Sequence, residues 1–139
     1  MIRTLTLVAA LAVTACGPLP GLKRPAPDVR PAIGPEVVVR FNSGRRAPRL
    51  LLESVAARCW LDGVVRGAQM IVNRQTGNII IVGDTTDLLA ADFLPAQRGT
   101  SRVRLSGPVI TDPAKKAKLV ASLDRAARTG ETACPIATG

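Results

Sequence analysis

The side chains that could do chemistry in this chain are defined first by what is missing. Its 139 residues include no histidine and no tyrosine. That removes the commonest general base and the commonest metal ligand. Only Phe41, Trp60 and Phe93 are aromatic, so most stacking platforms for bases or sugars are absent as well. Without histidine, neither a Ser-His nor a Cys-His nucleophile can be assembled. The chain contains no G-x-S-x-G, H-E-x-x-H, S-x-x-K, Walker-type or G-x-G-x-x-G motif. Carboxylates, thiols and cations remain. Asp84, Asp87 and Asp92 fall in "GDTTDLLAAD", but they lack the dense alternating oxygen ligands of a calcium loop. A solvated loop in which Asp87 caps a helix accounts for them better. Glu53 and Asp62 flank the end of the first helix as surface charges. These residues suggest no catalytic group, metal site or cofactor.

The cations are more informative. The chain holds 19 basic and 10 acidic residues, a net charge of +9. Such a surplus favours anionic partners such as phospholipid headgroups, acidic polymers or an acidic protein. Nucleic acid is disfavoured among them, because the bases would find few aromatic faces. Arg40, Arg45, Arg46 and Arg49 crowd the turn that opens the first helix, and Lys115, Lys116 and Lys118 lie at the start of the last. A helix N-terminus already carries free N–H groups and the positive end of the dipole. Cations there add repulsion and make a candidate anion site. A generally arginine-rich composition would produce the same clusters without any ligand.

The segment that precedes the folded part sets the address. "MIRT" carries Arg3 and is followed by "LTLVAALAV", an apolar run of 9 residues. That run is too short to cross a hydrocarbon layer of about 30 Å as a helix, and it reads as an export signal. It ends in "VTAC", with Val13, Thr14 and Ala15 before Cys16. This resembles the lipobox of bacterial lipoproteins. The resemblance covers residues 1–16 and implies that residues 1–15 are removed and that Cys16 takes a diacylglycerol. It also implies attachment to an envelope membrane, facing the periplasm. Gly17 stands where an aspartate would favour inner-membrane retention, which points to the outer membrane. Residues 17–35 contain six prolines and three glycines and read as a spacer, so that 16–35 is a lipidated tether. An arm packed on the domain through Leu19, Leu22, Val29 and Ile33 is the other possibility.

With Cys16 assigned to lipid by that resemblance, Cys59 and Cys134 remain as an even pair in an oxidising compartment and are expected to form a disulfide. A redox-active pair would more often be spaced C-x-x-C.

Residues 36–139 read as one domain that must position these groups. "EVVVRF" (36–41) is a short β-branched strand. "APRLLLESVAARCW" is a helix with Pro48 in its first turn and a stripe of Leu51, Leu52, Val55, Ala56 and Cys59. "GAQMIVNRQTGNIIIVGD" is a hairpin with Gly77 in the turn. Ala68, Met70 and Val72 face the core, and the strand Ile79–Val82 is interior. "TTDLLAADFLPAQRGT" predicts a helical turn and then an edge strand stopped by Pro95. "SRVRLSG" alternates, with Val103 and Leu105 opposite Arg102 and Arg104. The last helix starts at Asp112–Pro113 and stops at Gly130, with a stripe of Ala117, Val120, Leu123 and Ala127 beside Leu119. The order β-α-β-β-(β)-β-α predicts an α+β fold, a small antiparallel sheet with both helices on one face.

The function expected from these features is that of a membrane-anchored, non-catalytic envelope lipoprotein, an assembly, scaffold or accessory protein that binds a protein partner. Two alternatives stand beside it. One is a binder of anionic envelope lipid or polymer through the basic clusters. The other is a small lipoprotein inhibitor whose "GDTTDLLAAD" loop enters the cleft of a hydrolase.

Overall fold

The computed structural model describes residues 29–134. Cys16 and the rest of the expected signal and tether up to residue 28 lie outside them.

Five strands form one antiparallel sheet. They are β1 (Glu36–Phe41), β2 (Gln69–Val72), β3 (Ile79–Val82), β4 (Asp87–Leu94) and β5 (Ser101–Ser106). Their spatial order is β1-β5-β4-β3-β2. Two helices, α1 (Pro48–Val55) and α2 (Pro113–Thr129), cover one face. The architecture is the expected α+β sandwich. The core-facing residues of β1, β3 and β5 (Val39, Phe41, Ile79, Ile81, Val103 and Leu105) meet Leu52, Val55, Trp60, Leu119 and Leu123 in one apolar cluster. The aliphatic composition therefore fills a core around a single indole. Among the described residues, no helix is long and apolar enough to cross a membrane.

Local chemistry explains most of these elements. Asp112 caps α2, its carboxylate accepting from the N–H groups of Ala114 and Lys115 at 2.9 and 3.3 Å. Gly130 ends the helix in a left-handed conformation (φ 80°) that other residues avoid. In the β2–β3 hairpin, Gly77 has φ 78° and the Asn73 carboxamide oxygen accepts from the Gln75 and Thr76 N–H groups. The aliphatic chain of Arg49 lies against Gly77, where a Cβ would come within 2.6 Å of it. A residue with a side chain would meet both obstacles.

Helix α1 continues as a π-helical stretch, Ala56–Val64, and so runs past the expected end at Trp60. The Val65 N–H donates to the Trp60 carbonyl at 2.7 Å, a five-residue step. Five-residue steps suit the burial pattern: Val55, Trp60 and Val65 are buried, and so are Cys59 and Val64. A regular helix would turn some of these outward.

Two expectations are corrected. The segment 87–94 is neither a helical turn nor an edge strand. It is the continuous central strand β4, paired with β3 on one side and β5 on the other. "DLLAADFL" is poor in β-branched residues and so carries a weak strand signal. Two-sided pairing overrides that weak local preference. Asp87 opens the strand and caps no helix. The register slips between Ile81 and Val82, with Ile81 opposite Leu89 and Val82 opposite Asp87. The second correction concerns α2, whose buried face is Leu119, Ser122, Leu123, Ala126 and Ala127. Ala117 is exposed and Val120 only half-buried.

The physical reason for this rotation is polar. The indole N–H of Trp60 donates to Ser122 Oγ at 2.8 Å, and Ser122 donates in turn to the Leu119 carbonyl at 2.8 Å. All three residues are buried. Ser122→Ala is expected to cost about 1–3 kcal/mol, because it leaves a buried indole N–H unpaired. Ser122→Thr, which keeps the hydroxyl, should cost less. Urea unfolding followed by Trp60 fluorescence measures both.

Candidate functional site

The sheet face away from the helices carries the charge. Along β5 the alternation puts Arg102, Arg104 and Ser106 on this face, and along β4 it puts Ala90 and Asp92 there, in register with Ser106 and Arg104. Asp92 is buried at 1% exposure. The carboxylate is compensated on both oxygens. Arg30 Nε donates to Oδ1 at 2.6 Å and Arg104 Nη2 donates to Oδ2 at 3.3 Å. Arg30 Nη2 also donates to the Ile79 carbonyl at 3.3 Å. Arg104 Nη2 donates to the Arg30 backbone carbonyl, and Arg104 Nε lies 3.9 Å from a Glu36 carboxylate oxygen.

These contacts hold residues 29–35 against the sheet. Further along the same segment, the Ile33 N–H donates to Ser106 Oγ at 3.4 Å and the Gly107 N–H donates to the Pro35 carbonyl at 3.1 Å. Gly107 must be glycine here: its φ is 129° and a Cβ would lie 2.5 Å from the Leu88 carbonyl oxygen. The last residues of the stretch read as a spacer thus form an arm clasped across β4 and β5.

Asp92 is the site residue that sequence reasoning misplaced. It looked like one of three solvated loop acids, yet Asp84 and Asp87 are exposed while Asp92 sits inside the sheet. Among the described residues no group of three His, Cys, Asp or Glu side chains could hold a metal ion. The stretch imagined as a plug for a cleft is mostly strand β4. Glu53 is half-buried, 3.8 Å from Arg74, and Asp62 is exposed.

The seven candidate anion-binding residues are not brought together. Arg46 donates to the Thr129 carbonyl at 3.4 Å, so the start of α1 lies beside the end of α2. The lysines Lys115, Lys116 and Lys118 are at the opposite end of that helix. Its 17 residues span about 25 Å at 1.5 Å per residue. Two of the four arginines already have protein acceptors. Arg46 supplies a cation to the carbonyl end of α2, which is favourable for the dipole. Arg49 Nη1 donates to the Gln75 carbonyl at 2.7 Å and braces the hairpin. Arg45 is exposed in the turn. Arg40 faces outward on β1, directly opposite Arg102 on β5. A shallow concavity of about 600 Å³ opens beside these two.

Cys59 and Cys134 are bonded to each other, with their Cα atoms 4.6 Å apart. A Cβ on Gly63 would stand 3.0 Å from Cys134 Sγ, so the small residue in the π-helical stretch makes room for the bridge. Comparison with known protein families, with curated proteins and with solved structures finds no match for this chain.

Proposed function

We propose that the chain is a lipid-anchored, non-catalytic accessory protein of the cell envelope, held through Cys16 in the outer membrane and presenting its domain to a protein partner. The observation that carries this reading is the clasped arm. If Cys16 bears lipid, the chain leaves the membrane there, and Arg30 is bonded to the domain. A fully extended chain over that interval reaches at most about 50 Å. The arm is bound to the open sheet face there, Arg30 donating to Asp92 and Arg104 donating to the Arg30 carbonyl, so the chain is fixed to the domain at a defined place. A fixed exit sets which surfaces can face the membrane and which can face a partner. An accessory protein benefits from that constraint, because one partner in a fixed geometry is what it serves.

The lipid component follows from the "VTAC" resemblance and from simple partitioning. One acyl chain gives only marginal binding, whereas two or more hold a protein in the bilayer. The test uses the full chain expressed with its own leader in a Gram-negative host. The wild type is expected in the outer-membrane fraction. Cys16→Ser is expected to lose that enrichment, and the wild type but not Cys16→Ser should crosslink a stoichiometric envelope partner. Equal distribution of the two proteins, or a wild type that crosslinks nothing in stoichiometric amount, overturns the proposal.

A further inference from the structure

We infer that the concavity beside Arg40 and Arg102 is a binding site for a phosphate group, supplied either by a phospholipid headgroup or by a small soluble phosphate. The argument begins with the register. Arg40 and Arg102 are direct cross-strand partners, and opposed residues of an antiparallel pair have Cβ atoms roughly 5 Å apart on the same face. Two like charges placed so are destabilising unless something between them is negative. Elsewhere on this face the protein supplies that charge itself: Arg30 and Arg104 share Asp92, and Arg104 also approaches Glu36. Among the described residues no carboxylate pairs with Arg40 or Arg102.

The guanidinium of Arg102 is also held in place and under-used. Its Nη1 donates to the Pro95 carbonyl at 3.1 Å, which fixes the group at the rim of the β4–β5 turn. Its Nε–H is buried and has no acceptor. A small rotation toward an anion would give that N–H a partner. The concavity offers more donors and no competing acid. Its polar lining besides the two arginines consists of Asn42, Gln97 and Thr100. The Asn42 carboxamide oxygen is already taken by the Gly44 N–H, which turns its NH₂ end free for a ligand. The Thr100 hydroxyl donates to the Gln97 carbonyl at 3.0 Å and so holds the turn that closes the rim.

Ligand shape selects phosphate. A planar carboxylate is matched by one guanidinium fork. Two forks on neighbouring strands suit a tetrahedral oxyanion, which presents a separate pair of oxygens to each and balances more of the combined charge. A volume of about 600 Å³ leaves room for the glycerol portion of an ester beyond the phosphate. This site differs from the two clusters visible in the sequence: it keeps Arg40 and replaces Arg46 and Arg49, which serve protein carbonyls, with Arg102.

The test uses the full lipidated chain in a non-ionic detergent, titrated calorimetrically with inorganic phosphate and with glycerophosphoglycerol, the deacylated headgroup of phosphatidylglycerol. Binding of either supports the site, and the tighter of the two identifies the source. Arg40→Gln is expected to weaken binding about tenfold or more, the worth of one charge-assisted interaction. Arg102→Lys keeps the charge but loses the fork and should also weaken binding about tenfold. Circular dichroism establishes that each variant is folded. The control is Arg66→Gln with Arg74→Gln, which removes two exposed charges flanking β2, the edge strand opposite β1, and should leave affinity within about twofold, because screened surface charges contribute little. The inference is overturned if neither probe binds at millimolar concentration. It is equally overturned if the folded Arg40→Gln and Arg102→Lys proteins bind as the wild type does, or if the control variant weakens binding as much as they do.

Discussion

Replacing Asp92 with alanine is expected to destabilise the domain by about 3–5 kcal/mol, the usual cost of removing one partner from a buried ion pair. The size follows from what is left behind. Arg104 has only 12% side-chain exposure, so water cannot replace the lost carboxylate at little cost. Glu36, 3.9 Å from Arg104 Nε and half exposed, is too distant for a hydrogen bond and too well hydrated to substitute. Arg30 differs, with 32% side-chain exposure. Arg30→Ala leaves the buried carboxylate with Arg104 as its remaining cation, so it should cost less than Asp92→Ala, about 1–3 kcal/mol for one lost partner. The two variants therefore separate a charge-burial effect from an arm-attachment effect. Equilibrium urea unfolding measures the first. Limited proteolysis within residues 29–35 measures the second, and cleavage there should be faster in both variants. A loss below about 1 kcal/mol for Asp92→Ala would mean that the cluster is solvated and does not clasp the arm. Replacing the two most buried members together, Asp92→Leu with Arg104→Met, should recover much of the loss. Such clusters carry a desolvation cost that apolar packing avoids.

This cluster also marks the limit of what the sequence discloses. Asp92 lies 62 residues from Arg30 and 12 from Arg104, and nothing within its own stretch distinguishes it from Asp84 or Asp87. Only the sheet pairing brings its partners together. The features that were legible rest on chemistry within a few residues. They include the Asp112–Pro113 start and Gly130 stop of α2, the Gly77 turn, the β-branched run of β1, and the alternation of Val103 and Leu105 against Arg102 and Arg104. Strand β4 was obscured because its apolar residues are leucine and alanine, which suit helices at least as well. The buried face of α2 was misjudged by a partial rotation, since Ser122 looks like a surface residue until Trp60 is found to donate to it. The arginine cluster is divided for the same non-local reason. Carbonyls at Thr129 and Gln75 claim Arg46 and Arg49. Arg102, whose strand was read correctly, gained its significance only when β1 proved to be its neighbour.

Severing the Cys59–Cys134 bond is expected to destabilise the whole domain by about 4.5 kcal/mol, the chain-entropy value for a loop of this length. The bond joins residues 75 apart in sequence. The loop it closes contains β2 to β5 and all of α2, leaving only β1, α1 and the arm outside. The constraint therefore acts on the unfolded ensemble of most of the sheet, and its loss should appear in every probe of unfolding at once. The competing outcome is local. Residues 131–134 make few other contacts, chiefly Arg58 to Thr132 at 3.3 Å and Arg125 to Glu131. If the bridge only pins this tail, reduction would loosen residues 131–134 and leave the core midpoint unchanged. Two measurements decide between them. Thermal unfolding of Cys59→Ala with Cys134→Ala should show a drop of roughly 18–36 °C, at 4–8 °C per kcal/mol for a domain of this size. Thiol labelling of the native wild type, without prior reduction, should find neither sulfur reactive. A drop of only a few degrees would restrict the bridge to tail-pinning, because an entropic constraint on so long a loop cannot be small in a domain that unfolds as one unit. Cys59 itself is fully buried beside Trp60, so alanine there also removes some packing. Reduction of the wild type supplies the comparison that isolates the bond: it leaves both sulfurs in place and should account for most of the loss.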